Sequence, residues 1–204
     1  MADAQTQAWG GDEHPYGVSS KVLGMWLFVI SDSLTFGSLI LAYTYLRMAS
    51  DSWVPIFDFS PAIIFSTIMT FALLSSSLTM VMAVGAAKAR NHKGTVQWLL
   101  ATMACGSVFV VLHAMEWVHL FGEGMTPWSN DWGSPLIGGT FFTMTGLHML
   151  HVVIGVCYLG IIAIGFGKKK FKPEDVETAG LYWHFVDLVW MFIFPMVYLM
   201  SIKV

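Results

Sequence analysis

Five long apolar stretches determine what this chain can fold into. They cover approximately residues 22–46, 61–87, 95–121, 136–166 and 180–203. A helix of ~20 apolar residues is long enough to cross the hydrocarbon core of a bilayer. Because lipid offers the backbone no hydrogen bonds, segments of this kind cross as helices. The sequence therefore predicts an all-α, polytopic membrane protein with five transmembrane helices in one bundle.

The composition is typical of a membrane protein. Of 204 residues, 56% are hydrophobic and 11% are charged, whereas a soluble domain averages about 25% charged residues. The net charge is only −3 and the charges lie mainly in short loops, so we expect no nucleic-acid partner. We divide the chain into a polar N-terminal tail, residues 1–20, and a single five-helix transmembrane domain, residues 21–204.

Basic residues are distributed unevenly among the loops. Only Arg47 and Lys203 fall on one side of the predicted membrane. Eight of the ten basic residues fall on the other side: Lys21, Lys88, Arg90, Lys93, Lys168, Lys169, Lys170 and Lys172. Cytoplasmic loops of membrane proteins carry the excess of Lys and Arg. We therefore predict a cytoplasmic N-terminus and a C-terminus outside.

The fifth apolar stretch contains a histidine and an acid, His184 and Asp187, within residues 182–190. Residues three apart lie on the same side of a helix. A central Asp costs roughly 2.5–3.5 kcal/mol to insert into a membrane, so such groups rarely occur without a role. One interpretation is a buried His–Asp hydrogen bond that locks helix packing, and the other is a proton or ligand site.

A second acid, Asp32, lies roughly 16 Å along the first span at ~1.5 Å per residue, close to mid-membrane. No basic residue is adjacent in sequence. Two interpretations stay open for this residue. It is either a neutral acid hydrogen-bonded to a hydroxyl group, or a group that influences proton movement.

Spans three and four contain the other ionisable groups. His113, Glu116 and either His119 or Leu120 fall near one face of span three, and His148 and His151 share a face of span four. A di-iron site needs a second Glu-x-x-His and further carboxylates, which the sequence lacks. The histidine pair suits zinc, copper or haem iron, or a hydrogen bond between helices. We favour the hydrogen bond and expect its acceptor to be Glu116 or Asp187.

Four motifs in this order resemble those of subunit III of the haem–copper terminal oxidases, the family that includes cytochrome c oxidase and quinol oxidases. They are Trp-Leu-Phe-Val-Ile-Ser-Asp at 26–32, Glu-Trp-x-His at 116–119, Thr-Gly-Leu-His-Met-Leu-His-Val at 145–152, and Tyr-Trp-His-Phe-Val-Asp-Leu-Val-Trp at 182–190. The chain is similar to the five-helix bacterial form. Two departures are Asp32, where many members carry Glu, and Pro195, which we expect to kink the last span.

The resemblance implies a non-catalytic subunit of the aerobic respiratory chain. Such a subunit packs on the catalytic subunit I, contacts subunit II and other oxidase subunits, and resides in the bacterial cytoplasmic membrane. It stabilises subunit I and supports proton uptake while the complex reduces oxygen to water and translocates protons. The chain itself then binds no haem or copper, which are expected on partner subunits. Phospholipid is expected in a cleft between the first two helices and the other three.

The resemblance also implies roles for particular residues. Asp32 matches the intramembrane acid that influences proton uptake. A structural polar lattice that fixes helices three to five is expected to comprise Glu116, His148, His151, His184 and Asp187. Contacts with lipid head groups are expected from Lys88, Arg90, Lys93, Lys168 and Lys169, at ~1 kcal/mol per basic residue near the surface.

Other classes stay open at this point. A proton-coupled transporter would use Asp32 and the histidines as a relay, but the internal repeats of many transporters are not evident. A membrane metalloenzyme would use Glu116 and the histidines. Within the family, the alternative is a subunit III-like accessory chain of a nitric oxide reductase or of a larger respiratory supercomplex. The sequence does not indicate whether the electron donor is cytochrome c or a quinol, because another subunit makes that choice.

Overall fold

The computed structural model of the chain describes residues 19–51, 53, 57, 62–129 and 134–201. Its five long helices are α1 (Ser20–Ala49), α2 (Ile64–Lys88), α3 (His92–Gly122), α4 (Pro135–Gly167) and α5 (Pro173–Ile193). Each is long and apolar enough to cross a membrane. Within the described residues, the prediction of an all-α protein with five long apolar helices is therefore confirmed. Nearly all of the predicted polar tail, residues 1–20, lies outside the described residues.

The helices begin where short polar side chains satisfy their first backbone N–H groups. The Ser19 hydroxyl accepts a hydrogen bond from Val22 N, and the Asn91 side chain accepts one from Gly94 N. Ser, Asn and Asp are the preferred residues at such positions because the first turn has no intrahelical acceptors. The fifth helix begins at Pro173, earlier than the predicted residue 180, because proline suits the first helical position.

Helices α2 and α4 both end in a left-handed turn occupied by a basic residue. Arg90 has φ 56° and Lys169 has φ 58°. In each turn the amide of the next residue donates a hydrogen bond to a carbonyl of the last helical turn. Asn91 N donates to Ala86 O, and Lys170 N donates to Gly165 O, both at 2.9 Å. This is the Schellman geometry, in which glycine is the usual residue. Two cationic side chains are thereby held at the same end of the bundle.

Helix α5 lies at the centre of the bundle. It packs on α1, α2 and α4, while α2 also packs along α3, α3 along α4, and α1 along α4. Helices α1 and α5 run parallel, with Lys21 Nζ 2.7 Å from Asp175 Oδ1 near their N-terminal ends. Within the described residues α1 does not pack along α2, so a face of α5 stays open between them. The expected grouping of α1 and α2 against the other three helices is wrong, because α2 packs extensively on α3.

The Trp183 ring of α5 contacts three other helices. The ring is fully buried, and its Nε1 donates to Ser76 Oγ on α2 at 2.9 Å. It lies against Gly106 on α3 and Gly155 on α4, where a Cβ atom would stand only 2.5 and 2.9 Å from ring carbons. Small residues allow this approach in lipid, where no hydrophobic force drives helices together. The two glycines therefore form the notch that receives the tryptophan.

Pro195 changes the helix type instead of simply kinking it. Residues Phe194–Tyr198 form a π-helix, and Leu199–Ser201 form a short 3₁₀ helix. Proline cannot donate the backbone hydrogen bond that an α-helix requires at its position, and π segments absorb such irregularities. The change in helix type alters the direction in which the later side chains point. It brings Tyr198 into the interior and Ser201 against α1.

An arginine from α1 caps this irregular end of the chain. The Arg47 guanidinium donates to the Met196 carbonyl at 3.4 Å and to the Met200 carbonyl. The Tyr43 hydroxyl, also on α1, lies 3.2 Å from Ser201 Oγ. Carbonyl groups at a helix end lack intrahelical donors, and arginine is well suited to supply them. Polar contacts therefore join the C-terminal end of α1 to the segment that follows α5.

We expect Gly155→Ala to destabilise the bundle by about 1–3 kcal/mol, because the added methyl group overpacks the notch that holds Trp183. Gly37→Ala is the matched control, since a Cβ atom at Gly37 meets nothing within 4 Å. Denaturation with sodium dodecyl sulfate, followed by circular dichroism, measures the difference. Equal stability of the two variants would contradict the notch.

Candidate functional site

Glu116 lies in a buried polar cluster between α2, α3 and the π-helix. The Tyr198 hydroxyl donates to its Oε2 at 2.7 Å, and Ser66 Oγ lies 2.9 Å from its Oε1. His113 Nδ1 is 3.5 Å from Oε2. Hydrogen bonds to a buried carboxylate offset the cost of removing it from water. The carboxylate therefore connects three parts of the chain, near the end of α3.

His113 is enclosed by aromatic rings. Its imidazole stacks on Phe109 with ring centroids 5.6 Å apart, and Trp190 meets its face edge-on at 5.5 Å. His119 is turned away from this cluster and lies exposed, 3.6 Å from Glu123. Of the two residues expected beside His113 and Glu116, His119 or Leu120, it is Leu120 that is buried with them. Among the described residues, no three acids, histidines or cysteines come together in a way that could hold a metal ion.

Asp32 meets a histidine of α4. Its Oδ2 lies 3.3 Å from His151 Nε2, and both side chains are mostly buried. The other ring nitrogen of His151, Nδ1, is 2.8 Å from the Leu147 carbonyl oxygen and donates to it. The Tyr182 hydroxyl donates to the His151 carbonyl at 2.9 Å. Asp32 thus faces an imidazole instead of the hydroxyl group of the first interpretation, although its Oδ2 makes no hydrogen bond of normal geometry with a described residue.

His148 connects α4 with α5 through the backbone. Its Nε2 donates to the Val186 carbonyl at 3.1 Å, and the ring is fully buried against Trp190 and Phe109. In an α-helix a carbonyl oxygen normally accepts one hydrogen bond, from an amide of its own helix. The His148 imidazole donates to the second lone pair of the Val186 oxygen. The structure thereby confirms a hydrogen bond between helices for His148. The expected acceptors, Glu116 and Asp187, are wrong for both His148 and His151.

His184 and Asp187 lie close to one hydroxyl group of α2. His184 Nδ1 is 2.7 Å from Ser77 Oγ. Asp187 is buried beside the same serine, but neither carboxylate oxygen makes a hydrogen bond of normal geometry with a described residue. The expected hydrogen bond between His184 and Asp187 is therefore not formed. A spacing of three residues places two side chains on one side of a helix without making them meet.

The hydrogen bonds of three aromatic residues, and of the α2 hydroxyl groups in the site, were missed by sequence reasoning. Tyr198 supplies a donor to Glu116, and Trp190 Nε1 donates to Thr70 Oγ1 at 3.0 Å. Trp183 makes the corresponding bond to Ser76. Buried tryptophan and tyrosine usually find a partner for their polar atom. This tendency, together with the hydroxyl-rich second span, was the available signal for the two tryptophans.

The basic residues named as lipid contacts lie on the surface. Lys88 Nζ is 3.1 Å from Glu177 Oε1, and both side chains are largely exposed. Arg90, Lys93, Lys168 and Lys169 are exposed at the ends of α2, α3 and α4. The short connections between α2 and α3 and between α4 and α5 lie at the same end of the bundle. Together they present a cluster of positive charge.

An open apolar cavity of about 520 Å³ lies between α1 and α4, towards the end opposite the basic connections. Its lining includes Leu39, Ala42, Trp128, Leu136, Thr140 and Met144. Apolar walls and an open side suit a hydrocarbon chain better than a polar metabolite, which needs convergent polar groups.

Comparison with known proteins finds relatives along the whole chain. The family model described as "Cytochrome c oxidase subunit III" matches residues 4–202. "Cytochrome c oxidase subunit 3" of Alkalihalophilus pseudofirmus is 30% identical over 99% of each chain. "Quinol oxidase subunit 3" of Bacillus spizizenii is 34% identical over 89% of this chain and 88% of its own. "Cytochrome c oxidase subunit 3" of Thermostichus vulcanus is 34% identical over 93% of this chain and 90% of its own.

We expect Tyr198→Phe to destabilise the chain by about 1–2 kcal/mol, because the buried Glu116 carboxylate loses a donor. Tyr158→Phe is the matched control, since the Tyr158 hydroxyl makes no hydrogen bond with a described residue. Denaturation in mixed detergent micelles compares the two variants. A loss of stability as large in Tyr158→Phe as in Tyr198→Phe would exclude a specific role for this bond.

Proposed function

Because the chain belongs to the cytochrome c oxidase subunit III family, we propose that it packs on the catalytic subunit I of its complex and stabilises that subunit. The chain is subunit III of a haem–copper terminal oxidase, a multi-pass membrane component of the respiratory chain. In this proposal haem and copper reside on partner subunits, and the present chain carries no catalytic centre. Subunit II and other oxidase subunits are further partners.

The observation that supports this proposal is that the buried polar groups make contacts between helices. Glu116, His148 and His184 each contact a helix other than their own: Glu116 and His184 contact α2, and His148 contacts α5. Buried polar groups in membranes commonly join helices in this way. We propose that these residues, together with His151 and Asp187, fix the relative positions of helices α2 to α5. A rigid bundle is what a stabilising companion subunit requires.

We further propose that Asp32 influences proton uptake by the complex through its contact with His151. With Nδ1 donating to a carbonyl, the neutral imidazole has only an acceptor at Nε2. A proton between the two side chains then resides either on the Asp32 carboxyl or on the imidazole. In this proposal the pair shares one proton at this depth. Asp retains the acid function of the more usual Glu but reaches one methylene less far.

The proposed orientation places the basic connections in the cytoplasm. The positive-inside rule supports a cytoplasmic N-terminus and a C-terminus outside. Relatives named as oxidase subunits come from bacteria, including Bacillus subtilis, and on this basis we place the chain in a bacterial cytoplasmic membrane. The names of these relatives also favour an oxidase over a nitric oxide reductase as the parent complex.

We also propose that the subunit holds phospholipid. Arg90, Lys93, Lys168 and Lys169 would attract anionic head groups at the cytoplasmic face, and Lys88 would contribute where it is not paired with Glu177. The cavity between α1 and α4 suits an acyl chain on the opposite side. These two features lie at different ends of the bundle, so they would serve lipids of different leaflets.

Affinity purification from native membranes tests the proposed function. We expect the tagged chain to retain a large membrane subunit that carries haem and copper, detected by mass spectrometry and by visible absorption. An unrelated tagged five-span protein from the same membranes is the control. Purification of the chain without any haem-containing subunit, under conditions that preserve oxidase activity in the membrane, would contradict the proposal.

Asp32→Asn should leave the haem content of the purified complex unchanged, but its activity should decline faster during sustained turnover, because the side chain can no longer accept a proton. Asp32→Glu, which keeps the acid, should behave like the wild type. Oxygen electrode traces and pyridine haemochrome spectra provide the two measurements. Loss of haem from Asp32→Asn, or identical traces for all three proteins, would argue against a role in proton uptake.

A further inference from the structure

We propose that one open strip of α5, formed by His184, Leu188 and Met191, is the surface on which a transmembrane helix of another oxidase subunit docks. A hydroxyl or amide side chain of that helix would hydrogen-bond the outward ring nitrogen of His184. This inference deepens the proposed function and rests on it, because the partner is taken to be a subunit of the same complex.

The strip lies between two helices that flank α5. On one side His184 contacts Ser77 of α2. On the other side Phe185 meets Phe36 of α1, with ring centroids 6.4 Å apart. Since α1 and α2 do not pack along each other within the described residues, the surface of α5 between them remains open. Leu188 is 55% exposed and Met191 47% exposed there.

His184 places a polar atom on this strip that needs a hydrogen-bond partner. One ring nitrogen, Nδ1, bonds Ser77. The other, Nε2, makes no hydrogen bond with a described residue and is not enclosed by the chain. His184 lies about 16 Å along α5 from Pro173, at ~1.5 Å per residue, which is well inside the hydrocarbon layer. A polar atom facing lipid at that depth is costly, so a partner is expected to cover it.

Three exposed serines of α1 and α2 have no such requirement. The hydroxyl groups of Ser31, Ser33 and Ser75 donate to carbonyl oxygens of their own helices at 2.6–2.8 Å. They can therefore face lipid without a partner. His184 already uses its near nitrogen on α2 and cannot turn the far nitrogen inward as well. The strip on α5 therefore differs from the exposed faces of α1 and α2, although all of them are mainly apolar.

The chemistry of Nε2 favours a protein helix over an acyl chain. Hydrocarbon tails contain no hydrogen-bonding group, and head groups lie outside the hydrocarbon layer. Either ring tautomer is satisfied by a hydroxyl or an amide, since both can donate and accept. The spacing of the strip, at positions i, i+4 and i+7, is that of a helix that packs against another helix nearly parallel to it.

Site-specific photocrosslinking in the intact oxidase tests this surface. A benzophenone amino acid replaces Leu188 on the strip or, as control, Val108 on α3, which is 49% exposed and lies at a similar depth. We expect crosslinks to another oxidase subunit from position 188 and none from position 108. Crosslinks from 108 alone, equal crosslinks from both positions, or crosslinks from 188 only to lipid or to a second copy would overturn the assignment.

These outcomes separate the inference from the function on which it rests. Crosslinking from position 108 to an oxidase subunit would leave the proposed function standing and move the interface elsewhere. Absence of a crosslink to any oxidase subunit from both positions, while the chain still co-purifies with the haem-containing subunit, would overturn the docking surface and leave the proposed function standing.

A second measurement does not depend on the crosslinker. We expect His184→Phe to dissociate from the detergent-solubilised complex roughly tenfold faster than the wild type, and His184→Gln to restore most of the retention. Leu188→Trp should also dissociate faster, whereas Val108→Trp should not, because only the first obstructs the strip. Equal retention of His184→Phe and wild type, or equal loss in the two Trp variants, would overturn the docking surface.

Discussion

The insertion of the Trp183 ring between Gly106 and Gly155 is the contact on which the remaining structure depends. It sets the distance between α5 and the two helices that carry the glycines, while the bond from Trp183 Nε1 to Ser76 fixes the second helix. In lipid, close packing and hydrogen bonds hold helices together because apolar burial offers little. The Trp183 side chain contributes both, because its ring packs closely against glycines and its one polar atom forms a hydrogen bond.

The central position of α5 explains the distribution of the ionisable groups. Val186 offers its carbonyl to His148, His184 reaches α2, and Tyr198 extends to Glu116 beyond the proline. Each group thus contacts a neighbour of α5 instead of converging on one point with the others. Such an arrangement produces rigidity. It differs from a catalytic centre, where several ionisable side chains are directed at one reacting atom.

Much of this structure follows from the sequence, and the errors have physical causes. Apolar length predicted the five helices, but it placed the start of α5 at residue 180, because the first turns after Pro173 contain Glu174, Asp175 and Glu177. The partners of His148, His184 and Asp32 were not predictable from helical spacing, because spacing gives a shared side within one helix and says nothing about the helix opposite. Tyr198 was missed because the π-helix after Pro195 changes the periodicity. The role of Ser66 beside Glu116 depends on the contact between α2 and α3.

We propose that the acids and histidines of this chain serve packing and proton exchange, while redox chemistry takes place on neighbouring subunits. Metal and haem analysis of the chain expressed and purified without its partners tests this claim most directly. We predict no stoichiometric iron, copper or haem in the folded, helical chain, and no oxygen consumption with a chemical reductant. A stoichiometric metal or haem that accompanies the folded chain would contradict the account.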